Sequence, residues 1–164
     1  MAGVRDLADR YLDRLFPLDP YLATTAGERA YDDQLTDYSA DGVAARADLA
    51  RETLAELART EAADDADRLC GALLRERLGA ELGAFDAGEH LLQLRIFESP
   101  VSAIREVFDL APRTTDDDWA NIAARMAAVP EAYRRFETAL RASMASKLLT
   151  APRQALAYAD RTTT

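Results

Sequence analysis

The chain has 164 residues, a length that suits a single domain, and 30% of them are charged. Hydrophobic residues make up 49%, which argues against an intrinsically disordered chain. The formal net charge of −9 creates a field that repels phosphate backbones, so we expect no nucleic-acid partner. The 34 Ala residues, set against 7 Gly and 6 Pro, favour helix.

Cysteine usage and the N-terminal pattern bear on the compartment. Cys70 is the single cysteine, so no intrachain disulfide can form, and its apolar neighbours predict a buried, inert thiol. Charged residues from Arg5 to Arg14 interrupt the first apolar run, which is not the pattern of a signal peptide. No stretch approaches the ~20 apolar residues of a membrane span. We expect a cytoplasmic protein without a membrane partner.

Apolar residues recur at three- and four-residue steps through the first half of the chain, which predicts helices. The first runs from Val4 to Phe16. A short turn follows Asp19-Pro20 and ends at Gly27, and residues 28–38 read as an ordered loop. Ser39 caps a helix from Ala40 to Glu61, and another begins near Asp67. Two apolar flanks on that helix, one of them Leu69 and Leu73, predict a central position in a bundle.

The second half shows cap and proline signals between apolar stripes. Ser99-Pro100 starts a helix that Pro112 ends. Thr115 and Asp118 resemble a capping box, although the three acids there also allow a cation site. The stripe Trp119, Ile122, Met126 and Val129 is predicted to face inward. Pro130 is predicted to break the chain, and the next stripes run from Tyr133 to Leu149 and from Gln154 to Asp160.

These patterns predict one all-α domain over residues 1–164, an irregular, mostly antiparallel bundle of about six or seven helices. Residues 92–96 alternate like a strand, but no second candidate could pair with them. The predicted core consists of Leu7, Tyr11, Leu15, Leu54, Leu57, Leu73, Leu74, Ile104, Phe108, Trp119, Ile122, Met126, Phe136 and Leu140.

The sequence carries no recognised catalytic or metal-binding motif. His90 is the single histidine, Glu89 precedes it, and neither HExxH nor a pair of ExxH motifs is present. No GxSxG, Walker loop or GxGxxG occurs. We therefore assign no catalytic residue, no metal and no cofactor, and expect His90 to be a surface or partly buried helix residue.

One loop collects polar groups that could bind a ligand. The candidate binding loop comprises Tyr31, Asp32, Asp37, Tyr38 and Ser39. Acids and phenols in one loop can perform acid–base chemistry. They can equally cap helices and hydrogen-bond the backbone, which is the reading we favour.

Several short motifs, in order along the chain, resemble one family. They are PYLATTAG at 20–27, Tyr31-Asp32, LTDYS at 35–39, DDDW at 116–119, RMAAVP at 125–130 and TAPR at 150–153. The series resembles the N-terminal part of the bacterial domain of unknown function 885 family, with Thr36 where proline is usual. Members of that family look like helical zinc metallopeptidases with HExxH in a later region.

The resemblance implies a helical part that flanks a substrate cleft, and it transfers no catalytic or metal role to any residue here. The chain is then either a piece of a longer protein or a stand-alone relative. We expect a non-catalytic helical module that binds a peptide, a small molecule, or a partner chain such as the missing catalytic half. The alternative is a small metal-independent enzyme of a specialised biosynthetic pathway, with a pocket near Tyr31, Asp32, Asp37 and His90. We also expect a homodimer, with the C-terminal segment and the helix from Tyr133 to Leu149 near the interface.

Overall fold

The computed structural model describes residues 3–92, 94, 99–147 and 149–162, the last two of these in backbone only. Seven α-helices and one 3-10 helix (Glu89–Leu91) account for the described secondary structure, and this part of the chain contains no strand. The all-α prediction is therefore confirmed. The strand-like stretch falls mainly on residues 93, 95 and 96, which lie outside the described residues. The α-helices are α1 (Val4–Leu15), α2 (Pro20–Ala26), α3 (Ala40–Leu57), α4 (Asp65–Asp86), α5 (Pro100–Leu110), α6 (Asp116–Ala145) and α7 (Pro152–Thr162).

Side-chain caps begin most of these helices where the sequence predicts them. Asp19 accepts a hydrogen bond from the backbone N–H of Leu22 at the start of α2, and Ser39 and Ser99 cap α3 and α5 in the same way. Thr115 and Asp118 form a reciprocal capping box at the start of α6, as predicted. Gly27 ends α2 with a left-handed φ of 84°, a conformation that glycine adopts without strain.

The main hydrophobic core lies among α1, α3 and α4, which pack against one another. Gly71 on α4 faces this core, and a Cβ at this position would make ordinary van der Waals contacts with Val4 at 3.4 Å and Leu57 at 3.5 Å. Cys70 packs against the same core but is half-buried rather than buried as predicted, because it lies at the edge of the α4 face that meets α1 and α3. The buried members are Val4, Leu7, Tyr11, Leu15, Leu49, Ala50, Leu57 and Leu78.

Three predicted core residues are exposed instead. Leu73, Trp119 and Met126 have exposed fractions of 57%, 54% and 62%. Leu73 lies on the flank of α4 that turns away from α1 and α3, so the prediction that α4 is covered on both flanks was wrong. α3 has the more central place, since it packs against α1, α4 and α6.

The predicted break at Pro130 was also wrong, because α6 continues through it for 30 residues. Proline removes the hydrogen bond to the carbonyl four residues earlier, which belongs to Met126. Both residues lie on the exposed side of α6, where water can replace that bond. Packing of Ala132 and Phe136 holds the next turns of the helix against the bundle.

Several helix ends differ slightly from the predicted ones. α1 ends at Leu15 rather than Phe16, and α6 ends at Ala145 rather than Leu149. α3 ends at Leu57 rather than Glu61, because Leu57 is the last buried residue of its apolar seam. α7 begins at Pro152 and contains the predicted segment; its Leu156 is 68% exposed, whereas Tyr158 is half-buried.

None of the helices in the described part of the chain has the length and apolarity required to cross a membrane.

Candidate functional site

A buried arginine on α6 organises the candidate binding loop. The side chain of Arg125 is fully buried, and its Nε donates to the carbonyl of Gln34 at 3.0 Å. Its Nη2 donates to Thr24 Oγ1 at 2.6 Å and to the carbonyl of Tyr31 at 3.1 Å. The same nitrogen lies 3.6 Å from Oδ1 of the buried Asp32. Burial lowers the pKa of Arg125, and the nearby carboxylate of Asp32 opposes that shift.

A second arginine connects the loop to the start of α6. Arg29 Nε donates to Asp32 at 2.5 Å, and Arg29 Nη2 donates to Asp118 at 2.6 Å. Asp118 also accepts the backbone N–H groups of Thr115 and Thr114, each at 2.9 Å. These bonds, first among them the one from Thr115, lower the pKa of Asp118 to about 2. Asp118 is thus held by protein donors, as the capping-box interpretation predicts, whereas Asp116 and Asp117 are exposed in the first turn of α6.

The end of the loop is fixed by its own carboxylate. Asp37 accepts from the backbone N–H of Ser39 and from Nη1 of Arg135, both at 2.8 Å. Burial alone would raise the pKa of Asp37, but these bonds lower it overall. Ser39 is the cap of α3, so these two residues perform the structural roles that polar loop residues commonly take.

A cleft of about 590 Å³ lies beside this loop and brings Tyr38 together with His90. Arg46 and Asp19 line both this cleft and a neighbouring cavity of about 350 Å³, as does His90. The second cavity is largely apolar and includes Leu22 among its walls. The two cavities are therefore neighbours that share part of their walls, and most of the charged and polar side chains lie in the first. Described polar residues of the first cavity include Asp19, Tyr21, Tyr38, Arg46, Glu89, His90, Ser99, Ser102 and Glu106.

His90 lines both cavities. Its ring stacks on Phe85 with centroids 4.4 Å apart and an interplanar angle of 12°. Its Nδ1 is buried and has no hydrogen-bond partner among the described residues. An orphaned buried nitrogen is unfavourable, so a ligand donor or acceptor that reached it would gain a hydrogen bond and remove that penalty.

The cleft is predominantly acidic. Glu106 accepts a 2.7 Å hydrogen bond from the hydroxyl of Tyr21, and Glu89 and Asp19 add two more carboxylates. The balancing cation, Arg46, uses Nη1 to donate to the carbonyls of Leu18 and Asp37, at 3.2 and 2.9 Å. The charge of Arg46 is thus partly neutralised by backbone carbonyls. The three carboxylates therefore dominate the field inside the cleft, which favours a positively charged ligand.

Burial also perturbs titration around the cleft. Desolvation raises the pKa of Glu81 in the apolar cavity, against the nearby charge of Arg77. Burial raises the pKa of Tyr38 as well, and that of Tyr11 to about 12. The two phenols therefore remain neutral at physiological pH and offer hydroxyl groups rather than charges.

The structure thus separates the residues that the sequence grouped. Tyr38 and His90 line the cleft, Asp32 belongs to the Arg125 network, and Asp37 and Ser39 fix the start of α3. The side chain of Tyr31 is half-buried, and its carbonyl accepts from Arg125.

Sequence reasoning missed the role of Arg125 because the residue lies within a run of Ala and other apolar residues. The signal that could have indicated this role was a single charged residue inside an otherwise apolar run. The motifs that carry the resemblance also meet here, because Arg125 of the RMAAVP segment contacts Thr24 of PYLATTAG and Asp32 of the Tyr-Asp pair.

A comparison with known protein families agrees with the resemblance that these motifs carry. The model of the family described as bacterial protein of unknown function (DUF885) matches residues 20–164. The chain belongs to this family. No curated protein matches this DUF885 member significantly. Across the described residues, the DUF885 chain has no group of three or more His, Cys, Asp or Glu side chains placed to hold a metal ion.

Proposed function

We propose that this DUF885 chain is a non-catalytic helical module that binds an amphipathic organic cation, such as an amine or a basic peptide side chain, in the cleft between α2, α3 and α5. The observation that carries the proposal is the pair of neighbouring cavities that share Asp19, Arg46 and His90, the first with three carboxylates in its wall and the second with a mainly apolar wall. Ligand pockets combine an apolar lining with a few placed polar groups. The carboxylates of Asp19 and Glu106 would take the positive charge, and His90 Nδ1 would take a hydrogen bond.

Phenethylamine is a suitable probe ligand, because its ammonium group tests the charge preference of the site and its ring tests the apolar cavity. We expect it to shift backbone amide resonances around the cleft in a two-dimensional NMR titration, and phenylacetate, the anion of similar size, to leave them unchanged. Glu106→Gln should weaken phenethylamine binding several-fold, because it removes one carboxylate and keeps the side-chain size. Glu137→Gln is the matched control, since Glu137 pairs with Arg141 outside the cleft.

Ala103→Trp provides the steric test. Ala103 lines the cleft, so an indole there should block phenethylamine, whereas Ala72→Trp on the exposed side of α4 should not. Equal binding of the amine and the anion, or binding that Ala103→Trp leaves intact, would contradict the proposal.

The alternative is a metal-independent enzyme that uses the same cleft. The placement of His90 beside Tyr38 supports it, because an imidazole and a phenol are common acid–base partners. Prolonged incubation separates the two functions, since an enzyme would convert a bound amine into a product visible by NMR and a binding module would return it unchanged.

We further propose that the module derives from the cleft-flanking part of a metallopeptidase-like protein and acts in the cytoplasm. The order of the family motifs supports the first statement, and the single cysteine supports the second. Zinc analysis after dialysis and a peptidase assay test the non-catalytic role. Stoichiometric zinc that tracks peptidase activity would contradict a non-catalytic role.

A further inference from the structure

One face of α6 carries no exposed charge. From residue 119 to residue 130, all the exposed residues are Trp119, Met126, Pro130 or one of four alanines. The one charged side chain in that segment, Arg125, points into the bundle and is fully buried. A charge-free exposed helix face is unusual in a chain that is 30% charged. Exposed apolar patches of this kind mark interaction sites.

The face has the geometry of a helix–helix seam. Trp119, Ile122, Met126 and Val129 follow one another at steps of three, four and three residues, which is the a/d spacing of a coiled coil. Together with Phe108 of α5 and the exposed Arg113 in the loop before α6, they line a groove of about 490 Å³. Small alanines at 120, 123 and 127 flank the seam, so a second helix can approach closely.

The order of residues in the seam is self-complementary. A two-fold axis near residue 124 would place Trp119 against Val129 of a second copy and Ile122 against Met126. Each layer then joins an a position to a d position, as in an antiparallel helix pair, and the bulkiest residue meets the smaller Val129. An isologous interface requires this property, because the same surface must fit itself.

If two copies of this chain associate, charge favours the α6 seam over the other surfaces as the place where they meet. The net charge of −9 sets carboxylates against carboxylates wherever two copies meet through an ordinary surface. The seam residues themselves carry no charge, and the charged residue that lines the same groove, Arg113, is a cation, so two copies can meet there without setting carboxylate against carboxylate in the seam. We propose that two copies of this chain associate through the α6 seam of residues 119–129, arranged antiparallel. This places the interface N-terminal to the Tyr133–Leu149 region that the sequence suggested.

The single tryptophan of the chain makes the test specific, because Trp119 lies in the seam. A four-layer seam is smaller than the ~800 Å² per partner of a standard interface, so sedimentation equilibrium should extend to roughly 1 mM protein. We expect a dimer mass at the upper concentrations and a blue shift of Trp119 emission that follows the same curve. The side chain is 54% exposed in the single chain and would be covered in the dimer.

Met126→Glu should weaken association at least tenfold, because the dimer would bury two carboxylates in an apolar seam. Met144→Glu is the control, since Met144 is 66% exposed on the same helix and lies outside the seam. Both variants should retain the urea midpoint of the parent, because both side chains are exposed.

Three results would overturn the proposal. One is a monomer mass at every concentration, which would leave the seam to a different partner. Another is a dimer whose formation leaves Trp119 emission unchanged, which would place the interface elsewhere. The third is equal weakening by Met126→Glu and Met144→Glu.

Discussion

Arg125 offers the sharpest test of how this fold holds its loop. Arg125→Met keeps an unbranched apolar stem but removes the guanidinium group, and with it three donated hydrogen bonds and one charged partner of Asp32. Removing one member of a buried ion pair typically costs about 3–5 kcal/mol. Asp32 retains Arg29, so we expect a loss near the lower limit, ~3 kcal/mol.

Urea unfolding followed by circular dichroism measures this loss. With a slope of about 1–3 kcal/mol per molar urea, the midpoint of Arg125→Met should fall by roughly 1–3 M. Arg134→Met is the matched control, since Arg134 is 70% exposed and pairs with Glu131 on the surface, an interaction worth about 0–1 kcal/mol. A loss below ~1 kcal/mol for Arg125→Met, equal to that of the control, would refute the argument that Arg125 holds the loop.

Three further outcomes follow from packing and from carboxylate environments. Leu57→Ala should lower the free energy of unfolding by about 2–5 kcal/mol, and Leu73→Ala, at an exposed site, by less than ~0.5 kcal/mol, as measured in urea. Gly42→Ala should destabilise the fold because its Cβ would collide with the backbone carbonyl of Asp37, whereas a Cβ at Gly79 meets nothing within 4 Å. Gly79→Ala should therefore stabilise α4 by roughly 0.5–1 kcal/mol in thermal unfolding. The pKa of Asp67 is lowered to about 2, chiefly by a backbone N–H bond, so its contribution is present above pH ~4 and is lost as the pH falls towards 2. Acid titration of Asp67→Asn should therefore show a smaller loss of stability between pH ~4 and ~2 than the parent shows, and an identical loss would contradict this assignment.

Local signals determined where the helices begin and which residues share a face. Ser39, Ser99 and Thr115 cap the helices that the sequence assigns to them, because capping depends on side chains within three residues. The apolar stripe of α1 was also predicted correctly, since Leu7, Tyr11 and the rest of its apolar face are buried as expected. The candidate loop was also predicted as an ordered, capping segment, and its hydrogen bonds agree with that reading.

Tertiary structure alone decided which face of α6 is buried. Its apolar stripe through Trp119 and Met126 suggested an inward face, yet the helix buries Asp118 and Arg125 instead. Periodicity shows which residues lie together on one face of a helix. It does not show which face is turned towards the bundle when the polar side chains of a face can all form hydrogen bonds or ion pairs there. The bonding partners of Arg125 lie 91 to 101 residues away along the chain, in α2 and the loop after it. Only the folded chain brings those acceptors together, and their bonds make burial of the charged face favourable while the apolar face stays open.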